Sequence, residues 1–331
     1  MLMEESLRFT VGENPEQSYN ISLFDLDAMF SSHVISGTQK KNNEFRVILI
    51  GDSATWGTLL RPEETISGLL EASNISTCSG QEVHFYNIGY PTVSMTKDLM
   101  VFDYALRYDP DLVIWPLTME SFAMDKQLAS PIVANNAARV DDLIIRYNLP
   151  LDPGDPSLVR LDYWERTLIG QRRALADLIR LQLYGVPWSA TGVDQAYPTD
   201  YTRAQTDLDA DITYHGQEGP ELDEEQLAFT IFEAVLGAAG DIPVILINEP
   251  MMISEGENSD LRYNFLYPRW AYDQWRVIMQ EKADAEGWNY TDLWDLVPAE
   301  EFTNSAIHTT PLGVSLLVEE LNPIIEAHIC P

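Results

Sequence analysis

Between Arg46 and Ser53 the chain reads Arg46-Val-Ile-Leu-Ile-Gly-Asp-Ser53, an apolar run that stops abruptly in turn-forming residues. A strand with one wet face alternates apolar and polar side chains. An unbroken apolar run is buried on both faces, as in a parallel sheet covered by helices on either side. Similar runs recur at 83–88, 112–115 and 242–247, with a shorter one at 288–290, and stretches of helical spacing separate them at 63–73, 95–108, 224–239, 270–286 and 311–327. This alternation predicts an α/β fold, a doubly wound, mostly parallel sheet in a three-layer sandwich. Thr310-Pro311 opens the last helix, with threonine capping free amides and proline at the first helical position.

The alternation breaks from 122 to 223, a long insertion after the third strand and longer than ordinary connections. The expected organisation is an N-terminal extension at 1–44, a core of 45–121 and 224–331, and the insertion at 122–223. Inside the insertion, 158–183 has helical spacing, whereas 184–219 is rich in Gly, Pro, Asp and Tyr and reads as irregular loop. Because the insertion leaves the carboxyl end of a strand, it either overhangs the crevice there as a lid or substrate wall, or forms a peripheral helical hairpin.

Open α/β sheets place ligands and chemistry at the carboxyl ends of their strands, which makes Ser53 a candidate nucleophile. The plainer alternative is a serine that caps the next helix. Two further blocks follow in order. Val83-His-Phe-Tyr-Asn-Ile-Gly89 is a second strand ending in glycine, and Phe302-Thr-Asn-Ser-Ala-Ile-His308 lies near the C-terminus.

Together these blocks resemble the SGNH/GDSL hydrolases over 45–120 and 242–328, with Ser53, Gly89 and His308 matching three of the family's motifs. The stretch from Tyr290 to Gly313 looks most like the surface-anchored branch that modifies or de-esterifies cell-envelope polymers. The resemblance implies a flavodoxin-like SGNH sandwich, Ser53 as nucleophile, His308 as general base, and an oxyanion hole built on the amides of Ser53 and Gly89. Two positions depart from the family. Met119 stands where the oxyanion asparagine is expected, leaving Thr118 as a substitute donor one residue off. Asn304-Ser305 replaces the aspartate that orients the imidazole, so Asn304 would fix the tautomer through its carbonyl oxygen.

Other polar residues fall near the same rim. Asn248 and Glu249 follow the fourth strand and would bind substrate or orient His308, or simply form a turn with Pro250. Glu120 aligns with a family acid or caps a helix start. Arg262, Tyr267 and Arg269 form a cationic and aromatic cluster that would receive an anionic or sugar substrate, or pair locally with Asp260 and Asp273.

The 331 residues include 20 Lys+Arg against 52 Asp+Glu, a formal net charge of -32. Such charge opposes binding to nucleic acid or bare anionic lipid and suits solubility or a saline, exposed setting. No apolar run reaches the roughly 18 residues of a membrane span, and Met1-Leu-Met-Glu-Glu lacks a signal peptide's basic-then-apolar layout; any anchor would lie in a segment absent from this sequence. The five histidines show no metal-ligand spacing and there is no phosphate loop, so neither a metal nor a nucleotide cofactor is expected. Cys78 and Cys330 both fall at the strands' amino edge, where they either form a disulfide, favouring an oxidising compartment, or remain separate buried thiols. Asn20-Ile-Ser22, Asn74-Ile-Ser76 and Asn289-Tyr-Thr291 match glycosylation sequons.

The expected function is a secreted or cell-surface serine esterase or O-acyltransferase acting on acylated carbohydrate or envelope polymer. The alternative is a catalytically impaired SGNH-fold binding or assembly subunit, with a membrane-anchored partner or self-association.

Overall fold

The computed structural model describes residues 25–31, 33–172 and 201–330, together with 175, 176, 179 and 183. The Asn20-Ile-Ser22 sequon, most of the N-terminal extension, part of the 158–183 stretch and 184–200 of the predicted loop lie outside the described residues; within that stretch 158–171 forms turns and not the helix that its spacing predicts.

The chain forms two compact units, 1–40 with 128–197, and 41–127 with 198–331. The second contains a five-stranded sheet of β1 (Glu44–Leu49), β2 (Glu82–Asn87), β3 (Leu112–Leu117), β4 (Val244–Asn248) and β5 (Asn289–Asp292), in the order β2-β1-β3-β4-β5. All four pairings are parallel. The order is the flavodoxin-like one, and the doubly wound α/β expectation holds. Register aligns Leu49 with Asn87 and Ile114, and Asn248 with Leu117 and Asp292, so the strands' carboxyl ends share one edge.

Strand alternation sends side chains to two cores. On one face Val47, Leu49, Leu112, Ile114, Ile245 and Ile247 pack with Ile66 and Leu70 of helix Ile66–Ala72 and with Leu317, Leu321 and Ile325 of helix Pro311–Ile329. On the other, Trp115 meets Phe232 of helix Phe229–Ala239 at 5.2 Å, and Phe122 meets Trp275 of helix Arg269–Glu286 at 5.4 Å. Helix Met95–Ala105 lies beside Phe229–Ala239. Full burial of each such side chain is worth about 1.5–3 kcal/mol, and the charged side chains on the central strands, buried Arg46 and Glu44 of β1, are paired at 2.6 Å.

Among the described residues, the sheet-bearing unit takes in 122–127 and 201–223, which the sequence pattern assigns to the insertion. Phe122 accounts for the first, since it is fully buried against Phe229, Phe232 and Trp275 and its carbonyl accepts from Ala228 N. Buried Tyr214, whose hydroxyl donates to the Met119 carbonyl, ties down the second. In the other unit, helix Ala137–Tyr147 is tied to the segment carrying Leu26–Ser31 by Arg139, which donates to both Asp27 oxygens at 2.8 and 2.9 Å.

Cys78 and Cys330 are joined in a disulfide, just ahead of β2 and just after the last helix. Among the described residues no helix is long and apolar enough to cross a membrane, and no group of three or more His, Cys, Asp and Glu is placed to hold a metal ion.

Candidate active site

Ser53 is presented by the turn after β1. Gly51 sits at φ +151, and a Cβ there would lie 2.3 Å from Thr55 Oγ1, so only glycine lets the chain fold back this tightly. Asp52 then caps the short helix Ser53–Trp56, its Oδ1 accepting from Ala54 N at 2.8 Å. Ser53 therefore opens the helix rather than capping it, and its hydroxyl is left for other partners. The Gly51 carbonyl is held from behind by Lys97 Nζ at 2.6 Å and by Tyr90 N at 3.0 Å.

Its partner arrives from the other end of the chain. Residues 302–310 form a tight antiparallel turn in which Phe302 bridges Thr309, Thr303 N donates to the His308 carbonyl at 2.7 Å, and Thr310 N donates to Glu301 O. Buried Phe302 and Ala306 anchor this turn against Met252 and Val297. The turn places Asn304 beside His308, with Oδ1 2.8 Å from Nδ1, while His308 Nε2 lies 2.8 Å from Ser53 Oγ. Asn304 can only accept through that oxygen, so Nδ1 carries the hydrogen and the Nε2 lone pair faces the serine, the tautomer a general base needs. Burial pushes the His308 pKa down to about 4, against the opposing pull of Asp52, so the imidazole is neutral and receptive at ordinary pH.

The oxyanion side differs from expectation. Thr118 turns its hydroxyl inward, to Asp52 Oδ2 at 2.7 Å and into close contact with Glu249 Oε1, and is not directed at the crevice. The Gly89 amide donates to Asn87 Oδ1 at 3.0 Å, within a buried turn that also ties Asn87 to Thr55 O. A Cβ on Gly89 would come 2.8 Å from Trp56 N, so its glycine is required by close packing. Met119 is fully buried and offers no side-chain donor. The Ser53 amide, at the first helical position, makes no hydrogen bond among the described residues.

The expected substrate-binding residues serve the scaffold. Asn248 is buried, donating to Asp292 at 2.7 Å and accepting from Tyr272 OH at 3.0 Å. Glu249 is 5% exposed and faces Thr118. Arg262 donates to three carbonyls, of Asn264 and Phe265 in its own loop and of Asp211 in the 201–223 segment, instead of pairing with Asp260. Arg269 donates to Ser259 O at 2.6 Å and lies over the Tyr263 ring, while Asp273 accepts from Tyr263. Tyr267 accepts the Glu120 amide. For the two arginines, backbone carbonyls satisfy the cation before any ligand arrives.

No protein-family model and no curated protein sequence matches this chain. Similar solved structures include a carbohydrate acetylesterase family member from Sinorhizobium meliloti, 14% identical, covering 86% of this chain and 98% of its own at a TM-score of 0.40. A lipase/acylhydrolase from Enterococcus faecalis is 14% identical, covering 85% and 95% at a TM-score of 0.41. A member of the lipolytic G-D-S-L family from Veillonella parvula is 12% identical, covering 84% and 97% at 0.38.

Several charged residues at this edge escape a reading by motif. Lys97 and Asp98, fully buried and 2.5 Å apart, lie behind the Ser53 turn, and burial raises the Asp98 carboxyl to about 6 despite the lysine. Their signal was present: two adjacent opposite charges just ahead of the apolar run Leu99–Phe102 in one helix. Glu120 is not a cap. It accepts from Lys126 at 2.5 Å and lies 3.2 Å from His215 Nε2, while His215 Nδ1 lies 3.0 Å from Asp125. Burial opposes ionisation of Glu120, but its two basic partners hold the carboxyl below its ordinary value.

Proposed function

We propose that this chain is an SGNH-type serine esterase or O-acyltransferase, extracellular or at the cell surface, acting on acylated carbohydrate or envelope polymer through a Ser53 acyl-enzyme. The observation that carries this reading is the unbroken line from Ser53 Oγ through His308 to Asn304, two contacts of 2.8 Å at the carboxyl edge of a parallel sheet. The disulfide supports an oxidising compartment.

In the first half-reaction Ser53 Oγ bonds to the acyl carbon as His308 Nε2 takes the hydroxyl proton. The imidazolium returns that proton to the departing alcohol oxygen as the ester C–O bond breaks. Water or a sugar hydroxyl then attacks the acyl-serine, His308 accepting its proton and restoring it to Ser53. The Ser53 amide is the donor for the transient oxyanion, and the Gly89 amide joins it by exchanging Asn87 for the substrate oxygen. Asn304 keeps the tautomer but, being neutral, stabilises the imidazolium less than a carboxylate does.

A second reading is a binding or assembly subunit that has kept the crevice and lost turnover. Met119, the inward-facing Thr118 and the engaged Gly89 amide favour it. The two separate by intact mass after exposure to a fluorophosphonate: a single adduct, lost in Ser53→Ala and in His308→Ala, is the expected result. A folded chain that takes up no adduct assigns the protein to the second reading.

A further inference from the structure

Beneath Ser53, three polar side chains meet at the ends of the three central strands. Asp52 follows β1, Thr118 is the first residue past β3, and Glu249 is the first past β4. All three are buried, between 4% and 5% exposed. Thr118 Oγ1 touches Asp52 Oδ2 on one side and Glu249 Oε1 on the other. A threonine hydroxyl has one hydrogen to donate and lone pairs to accept with. Two ionised carboxylates cannot both be satisfied by it, so one carboxyl must bring a proton of its own. Asp52 already accepts on both oxygens, from Ala54 N and from Thr118, which is the environment of a carboxylate. The proton therefore belongs to Glu249.

We propose that Glu249 is an un-ionised carboxylic acid donating to Thr118 Oγ1, that Thr118 donates to Asp52, and that this chain holds Asp52 as the anion serving the His308 imidazolium. It supplies the charge that Asn304 lacks. Resting on the serine-hydrolase reading, this makes Asp52, Thr118 and Glu249 positioning residues, acting through Ser53 and His308.

The surrounding charges fit. The groups acting on Glu249 are Asp52, Thr118, Lys97 and Asp98. With Glu249 neutral, one cation against two anions leaves a single net negative charge; proton transfer from Ser53 to His308 separates charge into an imidazolium, which that anion favours, and an oxyanion, which the backbone amides receive. Burial first, and the Asp52 charge second, push the Glu249 carboxyl well above its ordinary 4.5. Asp52 in turn pulls the His308 pKa upward against burial, the direction in which an anion stabilises an imidazolium. Loss of the Glu249 proton as pH rises would set two carboxylates against one hydroxyl, and the displaced partner would be the residue that caps the Ser53 helix.

The test uses the intact chain and its Glu249→Gln, Thr118→Val and Thr118→Ser variants. Infrared spectra read the carbonyl stretch of a protonated carboxylic acid. Fluorophosphonate labelling, in which the Ser53 O–P bond forms as the P–F bond breaks and fluoride leaves with the serine proton, reads the rate against pH. The expected result is an acid band that persists above the ordinary carboxyl range and that Glu249→Gln removes, and a decline in labelling as that band is lost with rising pH, which Glu249→Gln abolishes. Thr118→Val should slow labelling by about 10²-fold, the scale of a misplaced reacting group, and Thr118→Ser should recover most of it. An absent acid band, or a Glu249→Gln pH profile that superposes on the parent's, overturns the proposal. The infrared measurement needs no reaction at Ser53, so a chain that never labels but keeps the band rejects the hydrolase reading while leaving the neutral Glu249 standing.

Discussion

At the residue scale, Asn304 would set the strength of the base in the proposed mechanism. Asn304 accepts the Nδ1 hydrogen as a neutral group, and an ionised acceptor makes a hydrogen bond roughly twice as strong. Asn304→Asp should therefore raise the fluorophosphonate labelling rate about tenfold, the equivalent of roughly 1.4 kcal/mol. It should also move the acid limb of the pH profile upward from its parental position near 4, since a new anion favours the imidazolium. A slower variant with an unmoved limb would mean that Asn304 does not govern His308. The histidine's depressed pKa has a thermodynamic counterpart: between about 6.5 and 4 the unfolded chain takes up a proton that the native site refuses, so stability falls with pH through that window. The Ser53, His308 and Asn304 positions were legible because each stands in a recognisable block. The roles of Thr118, Asn248 and Arg262 were not, because residue spacing fixes position along the chain and not the direction of a side chain.

At the element scale, helix Ala137–Tyr147 inside the insertion escapes the sequence pattern and 158–171 is turn where the spacing predicts helix, whereas the strands and the helices packed on the sheet could be read with errors of only a few residues, because two-sided burial favours apolar side chains along the central strands. The segment at 201–223 has no such pattern, and it is held by polar contacts that periodicity cannot reveal. Both nitrogens of His215 face carboxylates, Glu120 past β3 and Asp125 nearby, with Lys126 and the Tyr214 ring alongside. Donation to Glu120, opposed by burial and strengthened by Asp125, raises the His215 pKa, so the imidazole in this clamp keeps its proton to higher pH than a free one. A raised folded pKa stabilises below the unfolded value and loses that contribution as pH rises through the folded one. Melting temperatures of the parent and of His215→Gln should thus differ most at mildly acid pH and converge as pH rises above 6.5; a constant gap would leave the imidazole's charge without effect.

At the scale of the whole molecule, 52 acidic residues against 20 basic ones give a self-repulsion that no single pair relieves. Raising ionic strength from 0.01 to 0.15 M shortens the screening length from about 30 Å to about 8 Å. The melting temperature should rise over that interval and then flatten, and a fall would show that attractive surface pairs outweigh the net repulsion. The Cys78–Cys330 bond closes a span of 252 positions, enclosing all of 128–197 and every strand after β1. The polypeptide is in effect a ring with a tail. A single cleavage anywhere inside the ring opens it without releasing a fragment, so the serine on one side of the cut and the histidine on the other stay parts of one covalent molecule.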